Sequence, residues 1–232
     1  MNISPLSHDD CKIFIANGKP YCYVPITKVA STYLRSALPG RSFDIKNWCW
    51  SYAEEQLRFA NLTLPKARTL RYLVVLRDPL ERWISGATEY WCRAAGGPDW
   101  TMINGNDPVL EKIQFDVHTL PQCEFLANID FSRTTWLWLD QSIENHSWFG
   151  INQVQLLPVA NPLRNWGNSR PQLWFNDDQR FTVPTPGATA SVPSATIQNR
   201  LRYFIKNSHN LVNKIKKFYH KDYDLINSVK FK

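Results

Sequence analysis

The sequence predicts an α/β domain in which a central, mainly parallel sheet is flanked by helices. The first observation is the short β-branched run "RYLVVL", residues 71–76, which is of the kind buried in a parallel sheet. The second is that a strand pattern, a loop and a helix pattern follow one another twice before residue 94. The third is that two further apolar runs of strand length, residues 134–140 and 154–160, come later in the chain.

Residues typical of turns and helix ends bound these elements. The turn sequence "GKP" separates the first two strands, and Pro39 and Gly40 end the first helix. Pro79 stands near the first turn of the second helix, where a missing N–H costs little. In chain order, we predict strands at 12–17 and 21–26, a helix at 31–38, a strand at 71–76, a helix at 80–93, and strands at 134–140 and 154–160.

One globular domain is predicted over residues 1–232, because a chain of this length with 44% apolar residues buries about 70% of its unfolded surface. Residues 158–193 hold six of the 15 prolines and are predicted to be an irregular segment of the kind that forms a lid. Residues 195–219 are predicted to form a basic amphipathic helix. The balance over 195–232 is nine Lys/Arg against two Asp/Glu, and we interpret this charge as a solvated face.

No targeting or membrane segment is recognisable. The first residues lack a basic stretch followed by an apolar run of about 7 to 15 residues, and no stretch approaches the roughly 18 apolar residues of a membrane span. The five cysteines form no C-x-x-C pair, which argues against a disulfide framework and against a structural zinc site. These features predict a soluble, cytoplasmic protein with reduced cysteines.

The stretch "YVPITKVASTYL", residues 23–34, passes from a predicted strand through a turn into a helix. Such a turn presents backbone N–H groups and the positive end of the helix dipole, which together attract an anion such as phosphate. Lys28 adds a positive charge, and Thr27, Ser31 and Thr32 add hydroxyl donors. The stretch is not a Walker A loop, because the two glycines are missing and two residues separate the lysine from the next hydroxyl. An ordinary capped helix is the alternative interpretation.

A second anion site is predicted where the buried strand ends. Arg77 follows this strand, and Ser85 comes eight residues later, about two turns into the next helix. The planar guanidinium of an arginine can bind phosphate through two hydrogen bonds in a fixed orientation. In the alternative interpretation, Arg77 pairs with Asp78 or Glu81 in a helix-capping network. For Arg82 we prefer this structural interpretation.

Several stretches resemble one enzyme family. "VPITKVAST" resembles the 5′-phosphosulfate loop, and "VVLRDPLERWISG" the 3′-phosphate motif, of sulfotransferases that use 3′-phosphoadenosine 5′-phosphosulfate (PAPS). The second motif closely resembles that of the carbohydrate sulfotransferases related to the Golgi enzymes. "HTLPQCEF" resembles the His-x-x-Pro-Gln segment of this branch, and "FYHKDYDLI" its Tyr-x-x-Asp-Tyr ending. The resemblance extends over residues 21–226 in separate islands, and Ala30 stands where many members have glycine.

The resemblance implies a P-loop-like phosphosulfate-binding turn and the transfer of a sulfuryl group from PAPS to an acceptor hydroxyl of a carbohydrate. Lys28 would contact the phosphosulfate and stabilise charge as the sulfuryl group leaves. The residues implied for the 5′-phosphate loop are Thr27, Ala30, Ser31 and Thr32, and those implied for the 3′-phosphate are Arg77 and Ser85. The irregular segment 158–193, predicted from its composition, would serve as the lid or as the acceptor-side wall. PAPS and a glycan are the expected partners, with no metal and no nucleic acid.

The acceptor hydroxyl must lose its proton, so a general base is needed. Related enzymes keep a Glu or His between the two phosphate motifs, where this chain has Asp44, Glu54 and Glu55. Neighbours on a helix point about 100° apart, so only one of the adjacent glutamates can face the site well. We choose Glu55, with Glu54 next. His118 competes, because the resemblance implies a role for it near the site.

Three other functions fit parts of the sequence. A P-loop-type nucleoside or nucleotide kinase would use the same anion site, although the Walker glycines are missing, and magnesium dependence would separate the two enzymes. A non-catalytic module could retain the nucleotide pocket. A nucleic-acid binder could use the basic helix near the C-terminus.

Overall fold

The computed structural model describes residues 11–43, 70–93, 113–114, 117–126, 129–139, 143–158, 180–185 and 188–230. These residues form two compact units. Unit 1 takes its described residues from 1–77, 122–159 and 229–232, and unit 2 takes them from 78–121 and 160–228. The expectation of a single domain over 1–232 stays a prediction.

The described ranges contain strands, α-helices and short 3-10 helices. The strands are β1 (Cys11–Ala16), β2 (Lys19–Val24), β3 (Arg41–Phe43), β4 (Arg71–Leu76), β5 (Thr134–Trp138), β6 (Arg180–Thr185) and β7 (Ala188–Pro193). The α-helices are α1 (Ser31–Ala37), α2 (Pro79–Arg93), α3 (Ser147–Ile151), α4 (Ser194–Asn207), α5 (His209–Phe218) and α6 (His220–Lys230). The 3-10 helices are Val117–Thr119, Gln122–Leu126, Phe131–Arg133 and Ile143–Asn145. No α-helix in these ranges is long and apolar enough to cross a membrane.

Unit 1 is built on a five-stranded mixed sheet with the strand order β3-β1-β2-β4-β5. β2, β4 and β5 run parallel to one another, whereas β1 is antiparallel to both of its neighbours. Asn17 and Gly18 both have positive φ, 47° and 68°, as a two-residue type I′ turn between β1 and β2 requires. The predicted α/β arrangement with a mostly parallel sheet is therefore confirmed, and the short turn explains why β1 is antiparallel.

The interior strands carry the core of unit 1. Every residue of β2 after Lys19 is buried, and so are the last four residues of β4. Strands of a parallel sheet that is covered on both faces have such continuous burial instead of an alternation of buried and exposed positions. The prediction that the run at 71–76 is a buried strand is confirmed.

A buried lysine joins β1 to the end of α1. The Nζ atom of Lys12 donates to the carbonyl oxygens of Arg35, at 2.6 Å, and Leu38, at 2.5 Å. Burial lowers the pKa of Lys12, while the two carbonyl acceptors and the negative dipole end of the helix favour its charged form. The ammonium group therefore supplies hydrogen bonds that the last turn of α1 cannot make within the helix.

Unit 2 has a helical core. Apolar side chains of α2, α4 and α5 pack together, and Tyr219, between α5 and α6, is fully buried with them. The indole Nε1 of Trp83 donates to the carbonyl oxygen of Ile113 at 2.8 Å, so this large buried side chain keeps a partner for its polar atom. The buried members of the core are Trp83, Ile84, Ala87, Ile113, Leu201, Ile205, Leu211, Ile215 and Tyr219.

The predicted single helix at 195–219 is two helices. Ser208 separates α4 from α5 and leaves the helical conformation, with φ −126° and ψ 89°. Its hydroxyl accepts a hydrogen bond from the N–H of Leu211, as the N-cap of a new helix does. The apolar spacing continues across this break, which is why the sequence pattern indicated one helix.

Two other predictions about the second half of the chain are wrong in part. Within the segment 158–193, expected to be irregular, β6 and β7 pair in an antiparallel ladder, whereas residues 159–179 lie outside the described ranges. The strand expected at 154–160 does not form over residues 154–158. There the N–H of Leu157 binds the carbonyl oxygen of Ala37, at the end of α1, instead of a neighbouring strand.

Candidate anion-binding site

The loop between β2 and α1, residues 25–30, leaves the carboxyl end of a central strand. Ile26 and Val29 are fully buried and fasten the loop to the core of unit 1. Lys28, between them, is only half-buried. The buried apolar side chains therefore fix the position of the loop, and the side chain of Lys28 is more exposed to solvent than they are.

Two residues of this loop adopt a left-handed backbone conformation although neither is glycine. Lys28 has φ 66° and Ala30 has φ 60°, whereas Val29 between them has negative φ. Alternating signs of φ turn successive N–H groups toward one side, as in the backbone concavities that bind anions. The left-handed conformation costs about 1 to 2 kcal/mol for each residue with a Cβ, and such costs are found preferentially at functional sites.

The start of α1 differs from an ordinary capped helix. Ala30 is the N-cap residue, and it makes no side-chain hydrogen bond to the helix. Ser31 and Thr32 already lie within the first turn of α1, and the hydroxyl-bearing residues Thr27 and Ser31 are both buried. The N-cap residue of α1 therefore does not cap the helix through its side chain, and the anion site in this stretch stays a prediction.

Arg77 comes from the second motif and contacts the first. It follows β4, which is the parallel neighbour of β2, so that both loops leave the same edge of the sheet. The Nη1 atom of Arg77 donates to the carbonyl oxygen of Lys28 at 3.3 Å, across 49 residues of sequence. The structure thus brings together the two stretches from which anion sites were predicted.

Gln122 holds the backbone of Arg77, a role that the sequence analysis missed. Its side-chain Oε1 accepts a hydrogen bond from the N–H of Arg77 at 3.0 Å, and its Nε2 donates to the carbonyl oxygen of Arg77 at 2.9 Å. Gln122 is completely buried. The only sequence signal was its place in the Pro-Gln pair of "HTLPQCEF", which by itself indicates no partner.

Asp78 and Glu81 have structural roles within unit 2. The Oδ1 atom of Asp78 accepts from the N–H of Glu81 at 2.9 Å and caps α2. Glu81 in turn forms an ion pair with Arg202 of α4 at 2.8 Å. Arg82 is fully buried and donates through Nη1 to the carbonyl oxygen of Leu120. Arg82 thus has a structural partner inside unit 2, which is a backbone carbonyl, and its pairing with Asp78 or Glu81 stays a prediction.

The Tyr-x-x-Asp-Tyr stretch near the C-terminus is part of the packed interior of unit 2. Tyr219 and Asp222 are fully buried, and Tyr223 is half-buried. Burial raises the pKa of Tyr223 to about 12, and the negative charge of Asp78 adds to this shift. Tyr223 is therefore protonated at neutral pH.

Ser85 and His118 both lie in unit 2. Ser85 is half-buried on α2, and the next residue, Gly86, passes close to the backbone of His118. The hydroxyl of Tyr219 donates a hydrogen bond to the carbonyl oxygen of Thr119, the residue after His118. The half-buried side chain of His118 is thus attached to a backbone segment with several fixed contacts.

Replacing Gly86 with alanine should lower the free energy of unfolding by about 3 kcal/mol, because the new Cβ has no room. It would stand 2.4 Å from the carbonyl oxygen of His118, and backbone atoms cannot move aside as a flexible side chain can. Urea denaturation followed by circular dichroism measures the change. Gly150→Ala is the control, since a Cβ at this exposed position of α3 meets no atom within 4 Å. Equal stability of the two variants would contradict the prediction.

The residues predicted for the site are distributed over three parts of the chain. Those in unit 1, next to the carboxyl edge of the sheet, are Thr27, Lys28, Ala30, Ser31, Thr32 and Arg77. Ser85 and His118 belong to unit 2, and Glu54 and Glu55 lie outside the described residues. No protein-family model, no curated protein and no solved structure matches this chain.

Proposed function

We propose that this protein is a PAPS-dependent sulfotransferase that transfers a sulfuryl group to a hydroxyl of a carbohydrate. The observation that supports this function best is the contact between Arg77 and the carbonyl of Lys28. Each residue belongs to a separate motif that resembles part of a PAPS site. Their meeting at one edge of the sheet is what a donor with two separate anionic ends requires.

The position of the two loops also supports the proposal. In open α/β sheets, ligands bind outside the carboxyl ends of the strands, which is where both loops leave β2 and β4. Lys28 and Arg77 bring two positive charges to this edge. The positive φ of Lys28 and Ala30 is compatible with a backbone concavity of the kind that binds anions. A phosphosulfate and a 3′-phosphate would each find a cation and hydrogen-bond donors there.

In the proposed reaction, the acceptor oxygen attacks the sulfur of PAPS in line with the leaving 5′-phosphate. A new oxygen–sulfur bond forms, the bond between sulfur and the bridging phosphate oxygen breaks, and 3′-phosphoadenosine 5′-phosphate departs with the bonding electrons. The acceptor proton passes to a general base, for which Glu55, Glu54 and His118 are the candidates. Lys28 stabilises the charge that develops on the leaving group. The carbohydrate acceptor rests on the resemblance of "VVLRDPLERWISG" to carbohydrate enzymes.

The first expected result is strong discrimination between nucleotides. Arg77 is proposed to bind the 3′-phosphate, so 3′-phosphoadenosine 5′-phosphate should bind much more tightly than ADP. Arg77→Ala should weaken the binding of the former about tenfold to a hundredfold, since a charge-assisted contact contributes about 1.5 to 3 kcal/mol, and should leave ADP nearly unchanged. Isothermal titration calorimetry measures all four affinities.

Arg133→Ala is the matched control for this measurement. Arg133 is an exposed arginine of the same unit that pairs with Asp130 at 2.7 Å, so its loss removes one positive charge elsewhere. Neither affinity should change. Equal affinity of the unmodified protein for both nucleotides would refute the proposal. Incubation with radiolabelled PAPS and an array of glycans, in the presence of EDTA, then tests the transfer itself and identifies the acceptor.

A further inference from the structure

The side-chain amide of Gln122 binds both polar backbone atoms of one residue, Arg77. A pair of hydrogen bonds to the N–H and the C=O of the same residue is what a neighbouring strand provides in a sheet. The last bond of this kind on the β5 side goes from the N–H of Leu139 to the carbonyl oxygen of Leu76, one residue before Arg77. Gln122 thus provides backbone hydrogen-bond partners for Arg77, the first residue after the end of β4.

Two fixed hydrogen bonds restrict the backbone dihedral angles of Arg77 and therefore the direction of its Cα–Cβ bond. The guanidinium at the far end of this side chain reaches the carbonyl oxygen of Lys28. A long arginine side chain gains precision when its backbone is held, because fewer conformers compete with the one that binds. Complete burial of Gln122 adds to this effect, since water cannot compete for its amide.

We propose that Gln122 is a positioning residue that directs the guanidinium of Arg77 toward the 3′-phosphate and so contributes to the choice of nucleotide. This role rests on the proposed function, because it presupposes that Arg77 binds this phosphate. Gln122 touches only the protein in this role, so its substitution should act through Arg77 and not on the adenine or on the 5′-phosphate.

Gln122→Met is the principal test, since methionine keeps the length and volume of the side chain but makes neither hydrogen bond. The dissociation constant of 3′-phosphoadenosine 5′-phosphate should rise about tenfold, which corresponds to the loss of one intramolecular hydrogen bond, and that of ADP should change by less than about twofold. Gln122→Glu keeps the acceptor for the N–H of Arg77 and should have an intermediate effect. If Gln122→Met does not fold, the affinities of Gln122→Glu for the two nucleotides provide the test.

A double-mutant cycle separates action through Arg77 from a general loss of stability. With Arg77 already replaced by alanine, Gln122→Met should change the affinity for 3′-phosphoadenosine 5′-phosphate by less than about twofold, because the residue that it positions is gone. Lys12→Met is the control. It also removes two side-chain bonds to backbone groups of unit 1, at the far end of α1. It should lower the unfolding midpoint and leave the ratio of the two nucleotide affinities unchanged.

The outcomes distinguish this inference from the proposed function. If the unmodified protein binds both nucleotides equally, the proposed function fails and the role of Gln122 fails with it. If the unmodified protein discriminates and both Gln122 variants keep its ratio of affinities, only the role of Gln122 is refuted. A similar loss of discrimination in Lys12→Met would also refute this role, because general destabilisation would then account for the effect.

Discussion

Lys28→Ala is expected to lower turnover about a hundredfold, because loss of a cation that stabilises the leaving group removes about 3 kcal/mol of transition-state stabilisation. Some loss of nucleotide affinity should accompany this effect, since the same charge is proposed to attract the phosphosulfate. The carbonyl oxygen of Lys28, which accepts from Arg77, remains in the variant. The substitution therefore tests the ammonium group and leaves the contact between the two loops in place.

Two further variants separate the charge of Lys28 from its backbone strain. Lys28→Gly loses the same charge but relieves a φ of 66°, so it should lose as much turnover as the alanine variant while gaining stability relative to it. Lys19→Ala removes an exposed lysine at the start of β2 and should leave turnover unchanged. Normal turnover of both Lys28 variants, measured with saturating PAPS, would exclude this lysine from the reaction.

Glu55→Gln should lower turnover by about two to four orders of magnitude and leave the binding of 3′-phosphoadenosine 5′-phosphate intact. Glutamine keeps the size and polarity of glutamate, but its amide cannot accept the acceptor proton. The reason to choose Glu55 is positional, since Glu54 and Glu55 lie between the two stretches that resemble phosphate motifs, where the sulfotransferases that the chain resembles keep their base. Glu54→Gln and His118→Ala should both have milder effects.

Turnover and product affinity of the three variants are to be measured side by side. If both glutamine variants turn over normally while His118→Ala is inactive with unchanged nucleotide affinity, the histidine is the base and the choice of Glu55 is wrong. His118→Gln then serves as the conservative check. The backbone of His118 packs against Gly86, and we expect this contact to tolerate a new side chain at His118 better than a new side chain at the glycine.

Local sequence patterns were sufficient for most of the regular elements of unit 1. The turn sequence "GKP" separated the first two strands, although the structure places the turn one residue earlier, at Asn17 and Gly18, where both residues have positive φ. The run "RYLVVL", apolar after Arg71, predicted a strand covered on both faces. Patterns failed where the local signal was ambiguous. Apolar spacing continues through Ser208, where the chain nevertheless begins a new helix, and the prolines of 158–193 obscured the strands β6 and β7.

Local sequence was enough to predict two cationic loops after two strands, because a strand, a turn and a helix start are each encoded within about ten residues. That these loops meet depends on the fold, since the order of strands in the sheet makes β2 and β4 neighbours. The fold alone also pairs Gln122 with Arg77, 45 residues away. A buried amide finds its partner through the packing of the whole unit, and no local pattern specifies which distant backbone group will stand within 3 Å of it.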